Sequence, residues 1–394
     1  MELLRKSKSK ENQVLIWAVK MSNLYFHYPF CKQACHYCNF HFSTNSKNKD
    51  TLWEMMKKEL VLRAKEISEP IESIYFGGGS PSLLRPKEIE DLIKLIKLYS
   101  KLEDHLEVTL EVNPDDVTAD YLSGLKKAGI NRLSLGVQSF IDKDLVLMNR
   151  AHNSSQSLNA LEIISKTFTN YSLDLIYGIP YSSLAEWEEN LETALDFNPP
   201  HISAYALTVE EKTALYHNVK KGEVVLLSEE AVEKQYQLMV RKLEDLGYIN
   251  YEFSNFGKPD FFSLNNQNYW NGKSYLGIGP AAHSFDGINI RKWNVSNNQL
   301  YLNSIKKGKL PFEEEELTLK DRFNEYLMTG LRTTHGISLL HVKETFGKRY
   351  ALYLEEQASR HLSEQYFFWD GDHLKVSARA KFLTDGLASD LFMV

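Results

Sequence analysis

Cys31, Cys35 and Cys38 are the only cysteines in this 394-residue chain, and they fall within eight residues as CKQACHYC, a C-x3-C-x2-C spacing. A disulfide would leave one thiol over. Structural zinc usually takes four ligands, so a zinc knot would need His36 or His41 as the fourth. An iron–sulfur cluster fits three thiolates better, because cysteine ligation is the rule for such clusters. Three thiolates would leave one iron of a [4Fe–4S] cube open to a small molecule.

Confinement of every thiol to one motif leaves no disulfide framework, which suits a reducing cytoplasm. The net charge of −6 argues against a nucleic-acid binder, and against more than a peripheral contact with anionic membrane. The early apolar run VLIWAV (14–19) is too short to span a bilayer, and no small-residue cleavage site follows it. Residues 1–22 read as a tail, with Met21 an alternative start just before the first strand.

From residue 23 strands and helices alternate. Strands are expected at 24–28, 71–76, 106–113, 131–138, 171–177 and 201–207. Helices are expected at 51–67, 88–99, 118–129, 157–167 and 184–197, the third opening on a Thr cap and closing on Gly129. Strand–helix repeats with short links imply an α/β fold with a parallel sheet, either an open layer or a barrel. The rhythm stops near residue 210. A helix is expected at 229–247, irregular aromatic chain at 248–300, helices at 318–336 and 338–362, and a hairpin about Asp370–Gly371–Asp372.

The remaining signals sit at or near strand ends, where parallel barrels gather their functional groups. They are Gly78, Gly79 and Ser80 in YFGGGSP, Glu111 in LEVNP, Gln138 in GVQSF, Arg150 in NRAH and Asp174 in DLIYGIP. Glycines there let backbone approach a ligand closely. The spacing fits neither a dinucleotide fingerprint nor a Walker loop.

The cysteine motif, with Tyr37 at its aromatic position, resembles the radical S-adenosylmethionine (SAM) superfamily signature. With the later motifs it resembles the oxygen-independent coproporphyrinogen III oxidases and their relatives over almost the whole chain. The resemblance implies a partial (β/α)6 barrel at 23–210, an accessory segment completing it at 211–310, and an α+β carboxyl-terminal region with a helical, winged-helix-like module at 311–394. It implies a [4Fe–4S] cluster on the three cysteines and SAM on the open iron. There one electron from the reduced cluster cleaves the sulfonium to a 5′-deoxyadenosyl radical. The glycine segment would meet the SAM amino group, Glu111 and Gln138 the ribose, and Tyr25 the cofactor as well, with Tyr37, Arg150 and Asp174 completing the site.

Two branches share these motifs. The oxidase branch decarboxylates porphyrinogen propionates to vinyl groups, has a fourth cysteine where this chain has Phe40, and carries a longer segment before the first strand. Both differences point to the HemW-type haem chaperone branch, whose members would hold haem as cargo and pass it to acceptors such as membrane haemoproteins. A homodimer is compatible with this reading. A family histidine position reads Asn265 in NNQNYW, which leaves His27, His283 and His335 as substitutes by residue type alone.

Overall fold

The computed structural model describes residues 21–394. Residues 1–20, with the VLIWAV run and most of the expected tail, lie outside the described residues. The first part of the chain is β1 (Asn23–Tyr28), α1 (Lys49–Arg63), β2 (Ile71–Gly78), α2 (Pro86–Tyr99), β3 (Leu102–Val112), α3 (Ala119–Ala128) and β4 (Arg132–Gln138). It continues through α4 (Asp142–Leu147), α5 (Ser154–Thr167), β5 (Tyr171–Tyr177), α6 (Leu184–Asp196) and β6 (His201–Ala206). Helix punctuation is chemical. Thr118 accepts the Tyr121 N–H at 3.2 Å, Gly129 closes α3 at φ +104°, and Asn153 with Gln156 forms a reciprocal cap on α5.

β1 to β6 pair in parallel, in sequence order. Alternation along each strand splits the sheet's two faces. Phe26, Phe76, Leu110, Leu135 and Leu173 are fully buried in the main core, with Leu52, Met56, Leu92 and Leu161 of the helices. The intervening residues, among them Tyr75, Glu111, Ser134 and Asp174, face a cavity. A polar inner face on a parallel sheet is the local signature of a ligand-binding interior.

The chain then forms α7 (Ala214–Lys220), α8 (Glu229–Asp245), β7 (Ile249–Glu252), β8 (Asn255–Gly257), α9 (Leu264–Trp270) and β9 (Leu276–Ile278). After them come β10 (His283–Phe285), β11 (Ile290–Asn294), α10 (Asn298–Lys306) and β12 (Phe312–Glu316). The stretch expected to be irregular thus supplies both edges of the large sheet, whose order is β7-β8-β6-β5-β4-β3-β2-β1-β9. Its two outer strands do not pair with each other, so the barrel stays partial. β9 is held against β1 by a buried polar knot. Glu59 of α1 accepts from Tyr301 Oη (2.6 Å), Asn294 Nδ2 (2.7 Å) and the Gly279 N–H (2.9 Å), while Arg63 Nη1 donates to the Gly277 carbonyl (2.9 Å).

The carboxyl-terminal module is α11 (Leu319–Leu331), β13 (Ile337–Ser338), α12 (Leu339–Thr345), α13 (Lys348–Ser363), β14 (Phe367–Asp370), β15 (His373–Val376) and α14 (Thr384–Asp390). It has a separate core about Phe323, Leu327, Leu354 and Leu374. The hairpin forms where Asp370–Gly371–Asp372 placed it, with β13 added in the order β13-β15-β14. The single helix expected over 338–362 is two, because Gly347 takes φ +97° after Phe346. The helix expected over 318–336 stops at Leu331, where the Arg332 carbonyl accepts the Phe253 N–H instead.

Candidate functional site

The three cysteines lie in the long connection from β1 to α1. Its base is pinned by Cys31 N–H to the Ser43 carbonyl (3.1 Å) and Ser43 N–H to the Pro29 carbonyl (2.8 Å). Its tip is pinned to the turn after α4. The His36 N–H and Nδ1 reach the carbonyls of Met148 (3.0 Å) and Leu147 (2.9 Å), and Asn149 Nδ2 donates to the Ala34 carbonyl (2.7 Å). All three thiols are free, partly buried and open on one cavity of about 550 Å³. Burial pushes the Cys31 thiol up to about 11 against a hydrogen bond with Ser80, and also raises Cys38. Both are therefore protonated at neutral pH without metal, and ligation would release protons.

Neither histidine of the zinc alternative closes on the thiols. His36 is bonded through Nδ1 to the Leu147 carbonyl, and His41 Nε2 meets Asn298 Oδ1 at 2.8 Å. Among the described residues no three Cys, His, Asp or Glu side chains close on a point that could hold a single metal ion.

β2 ends in a glycine cradle facing this loop. The Gly79 N–H bonds the Tyr28 carbonyl (2.8 Å) and the Ser80 N–H bonds the Phe30 carbonyl (2.7 Å). A Cβ on Gly79 would sit 2.7 Å from the Phe30 carbonyl oxygen, and one on Gly78, at φ +107°, would sit 2.8 Å from the His27 ring. Only glycine fits either position.

Asn113 connects cradle and cluster loop. Its Nδ2 donates to Ser80 Oγ (2.9 Å), and its Oδ1 accepts from Arg150 Nη2 (2.8 Å). Arg150 also donates to the Gly136 carbonyl (2.9 Å), Tyr37 Oη (3.3 Å) and Cys35 Sγ (3.4 Å). Its Nε is buried with no hydrogen-bond partner. A cation with an unsatisfied donor, held against a thiol, fits an anionic group at that place.

Gln138 stands at a bulge where β4 loses register with β5, and its φ is +68°. Strain of this kind in a non-glycine residue persists where surrounding structure demands it, and here the bulge turns the end of β4 into the cavity. Glu111 accepts the Tyr75 hydroxyl at 2.9 Å. Burial, and then Asp174, push its carboxyl up to about 7 despite that bond. Asp174 is likewise raised by burial, to about 6, although Ser134 (2.9 Å) and Ser172 (3.2 Å) donate to it.

Cys31, Cys35, Cys38, Tyr37, Gly78, Gly79, Ser80, Glu111, Gln138, Arg150 and Asp174 all line the one cavity. Tyr25 does not line it. Its ring stacks on Tyr75 at 6.0 Å and its hydroxyl meets His27 Nδ1 at 3.1 Å, one layer behind Glu111. Asn113 of LEVNP and Tyr75 of YFGGGSP also line the cavity, as do His201, Ser203 and Arg132, none of them among the residues expected from sequence. Nothing local marks these as more than strand residues. The Asn265 N–H donates to Glu107 Oε1 at 3.1 Å, so the start of α9 is docked on β3.

The Radical SAM superfamily model matches residues 25–194, and the HemN C-terminal domain model matches residues 317–383. A Bacillus subtilis protein named heme chaperone HemW is 34% identical over 333 residues, covering 83% of this chain and 88% of the relative. The chain belongs to the HemW family of radical SAM proteins. The same name is carried by a Mycobacterium tuberculosis relative, 30% identical over 93% of this chain and 94% of its own length. A Danio rerio relative, radical S-adenosyl methionine domain-containing protein 1, mitochondrial, is 36% identical over 83% of this chain and 78% of its own. The solved structure of Escherichia coli coproporphyrinogen III oxidase (HemN) shares the fold at TM-score 0.83 and 21% identity, over 95% of this chain and 92% of that one. The HemW reading taken from Phe40 agrees with the names of the relatives. The radical SAM fold implies SAM and a [4Fe–4S] cluster. No helix among the described residues is long and apolar enough to cross a membrane.

Proposed function

We propose that this chain is a haem chaperone that holds a [4Fe–4S] cluster, SAM and haem, and passes the haem to acceptor proteins. The observation that carries the reading is the match, over more than four-fifths of the chain, to relatives named heme chaperone HemW. Phe40 supports it. Its ring, 68% exposed, stands at the cavity rim where the oxidase branch places a further thiol.

Cys31, Cys35 and Cys38 would hold the cluster, which when bound supplies an open iron and a transferable electron. This chain's own residues do the rest. Arg150 offsets thiolate charge at Cys35 and ties that sulfur through Asn113 to the cradle. Gly78, Gly79 and Ser80 present close backbone to the amino group of SAM. Glu111 and Gln138 accept from and donate to its ribose, Tyr25 buttresses Tyr75 behind them, and Asp174 closes the cavity floor. We assign residues 23–210 to this core, 211–310 to its closure and 311–394 to a module facing acceptors. Membrane haemoproteins, met peripherally from the cytoplasm, suit that role, and a homodimer is compatible with it.

The test is one anaerobically reconstituted sample taken through a haem titration and an oxidase assay beside a working oxidase. The reading expects haem binding and no conversion of coproporphyrinogen, with reductant and SAM supplied. Multiple-turnover formation of protoporphyrinogen would reverse the choice of branch.

A further inference from the structure

Of the twelve histidines in the chain, only His105, His217, His283 and His335 make no hydrogen bond or ion pair through their rings among the described residues. Three of these four have little around them. His105 and His335 touch no aromatic ring, and His217 touches only its helix neighbour Tyr216. His283 is different. It lies exposed on β10, in register with Trp293 of β11, with the two rings 6.2 Å apart and tilted by 31°. Phe285 follows two residues on, on the same strand face.

From Phe285 a row of rings runs to Tyr275 (6.5 Å), Tyr269 (6.0 Å) and Trp270 (5.2 Å). Tyr269 is 52% exposed, so this row is not core. It joins β10 to the carboxyl-terminal end of α9, the helix whose first turn carries Asn265. The ring of His283 and the row do not line the cysteine cavity. The row lies against the start of β1, where Asn268 Nδ2 donates to Asn23 Oδ1 (2.7 Å), at the opposite end of that strand from the cysteine loop. Packing there is close, for a Cβ on Gly277 would meet the His283 carbonyl oxygen at 2.0 Å.

We infer that His283 is the axial ligand by which this protein holds haem iron, with the porphyrin laid over Trp293 and Phe285. The inference rests on the chaperone reading above and gives its cargo a seat. Neutral imidazole with a free ring nitrogen is a common haem-iron ligand, and planar rings offer the apolar contact a porphyrin face needs. Partial burial, and then Arg291, hold the His283 imidazole below its ordinary range, which keeps it neutral and able to ligate. Charge sets the orientation. Glu313 and Glu315 of β12 stand across from Trp293 and Arg291, and Arg291 is already shared with Glu325 at 2.8 Å. The propionates therefore point away from β12, toward solvent.

The experiment titrates ferric haem into the full, cluster-loaded chain and follows absorption and resonance Raman spectra. His283→Ala should weaken binding about tenfold or more and remove the histidine–iron signature. His283→Met should keep binding but move the spectrum, which guards against simple loss of fold. Trp293→Ala should weaken binding and leave the histidine signature in place, while His335→Ala and His217→Ala change neither. Iron content and SAM affinity should be equal in all variants. A histidine signature that survives in His283→Ala overturns the ligand assignment and leaves the chaperone reading standing. Failure of the unaltered chain to bind haem overturns both.

Discussion

Arg150 Nη1 lies 3.4 Å from the Cys35 sulfur while its Nη2 bonds Asn113, so one guanidinium ties the cluster loop to the end of β3. Each cysteine and this arginine should therefore fail differently. Changing Cys31, Cys35 or Cys38 to Ala should abolish the cluster, read as loss of about four irons and matching sulfide per chain. Arg150→Lys should retain the cluster but shorten its life under a chelator. Lysine keeps the charge but loses the planar fork that reaches two partners at once. Equal chelation rates in both proteins would remove this role from Arg150.

Glu111→Ala and Gln138→Ala should each weaken SAM binding by about 1 kcal/mol or more, with the cluster unchanged. Calorimetry on reconstituted protein measures this. Gln138 has a second test, because its left-handed backbone is strained. Gln138→Gly should relieve that strain and raise the melting temperature while SAM binding falls.

The apo protein should lose stability as pH rises toward neutrality. Burial raises Glu111 to about 7, and Asp174 and Glu252 each to about 6, above their values in the unfolded chain. Groups raised in this way contribute stability that is fully present below the unfolded pKa and is lost as pH rises through the folded one. The window therefore runs from about pH 4 to about pH 7. Glu111→Gln should flatten the upper part of this decline, measured as melting temperature against pH in metal-free protein. An unchanged slope would place the titration elsewhere.

Glu59→Ala should destabilise the chain by about 1–3 kcal/mol, because it leaves buried donors without their acceptor, although Arg63 keeps its ion pair with Glu66 at 2.8 Å. It also removes the acceptor of Tyr301 Oη and one of the two acceptors of Asn294 Nδ2. Since this knot holds β9 to β1, hydrogen exchange should rise first at Leu276–Ile278. Denaturant unfolding checks the magnitude, and exchange checks the location.

Much of the site was legible because its groups are local. Three thiols within eight residues must share a neighbourhood wherever the loop lies, and a glycine run after a strand signals close backbone approach. Alternation and caps likewise placed all six parallel strands and their longer helices. Short helices were missed. α4 and α7 have six and seven residues, too few for a 3.6-residue period to emerge, and both are held by contacts to the cysteine loop.

Chemistry and element type are written into neighbouring residues, so the chain alone specified the cysteine loop, the glycine turn and the parallel rhythm. Juxtaposition depends on residues far apart in the chain, and only folding settled it. Arg150 meets Cys35 across 115 positions, and Glu59 meets Tyr301 across 242. The edges of the sheet were decided the same way. β7, β8 and β9 are strands of three or four residues with weak patterns of their own, made into strands by the unpaired N–H and C=O groups that β6 and β1 offered them.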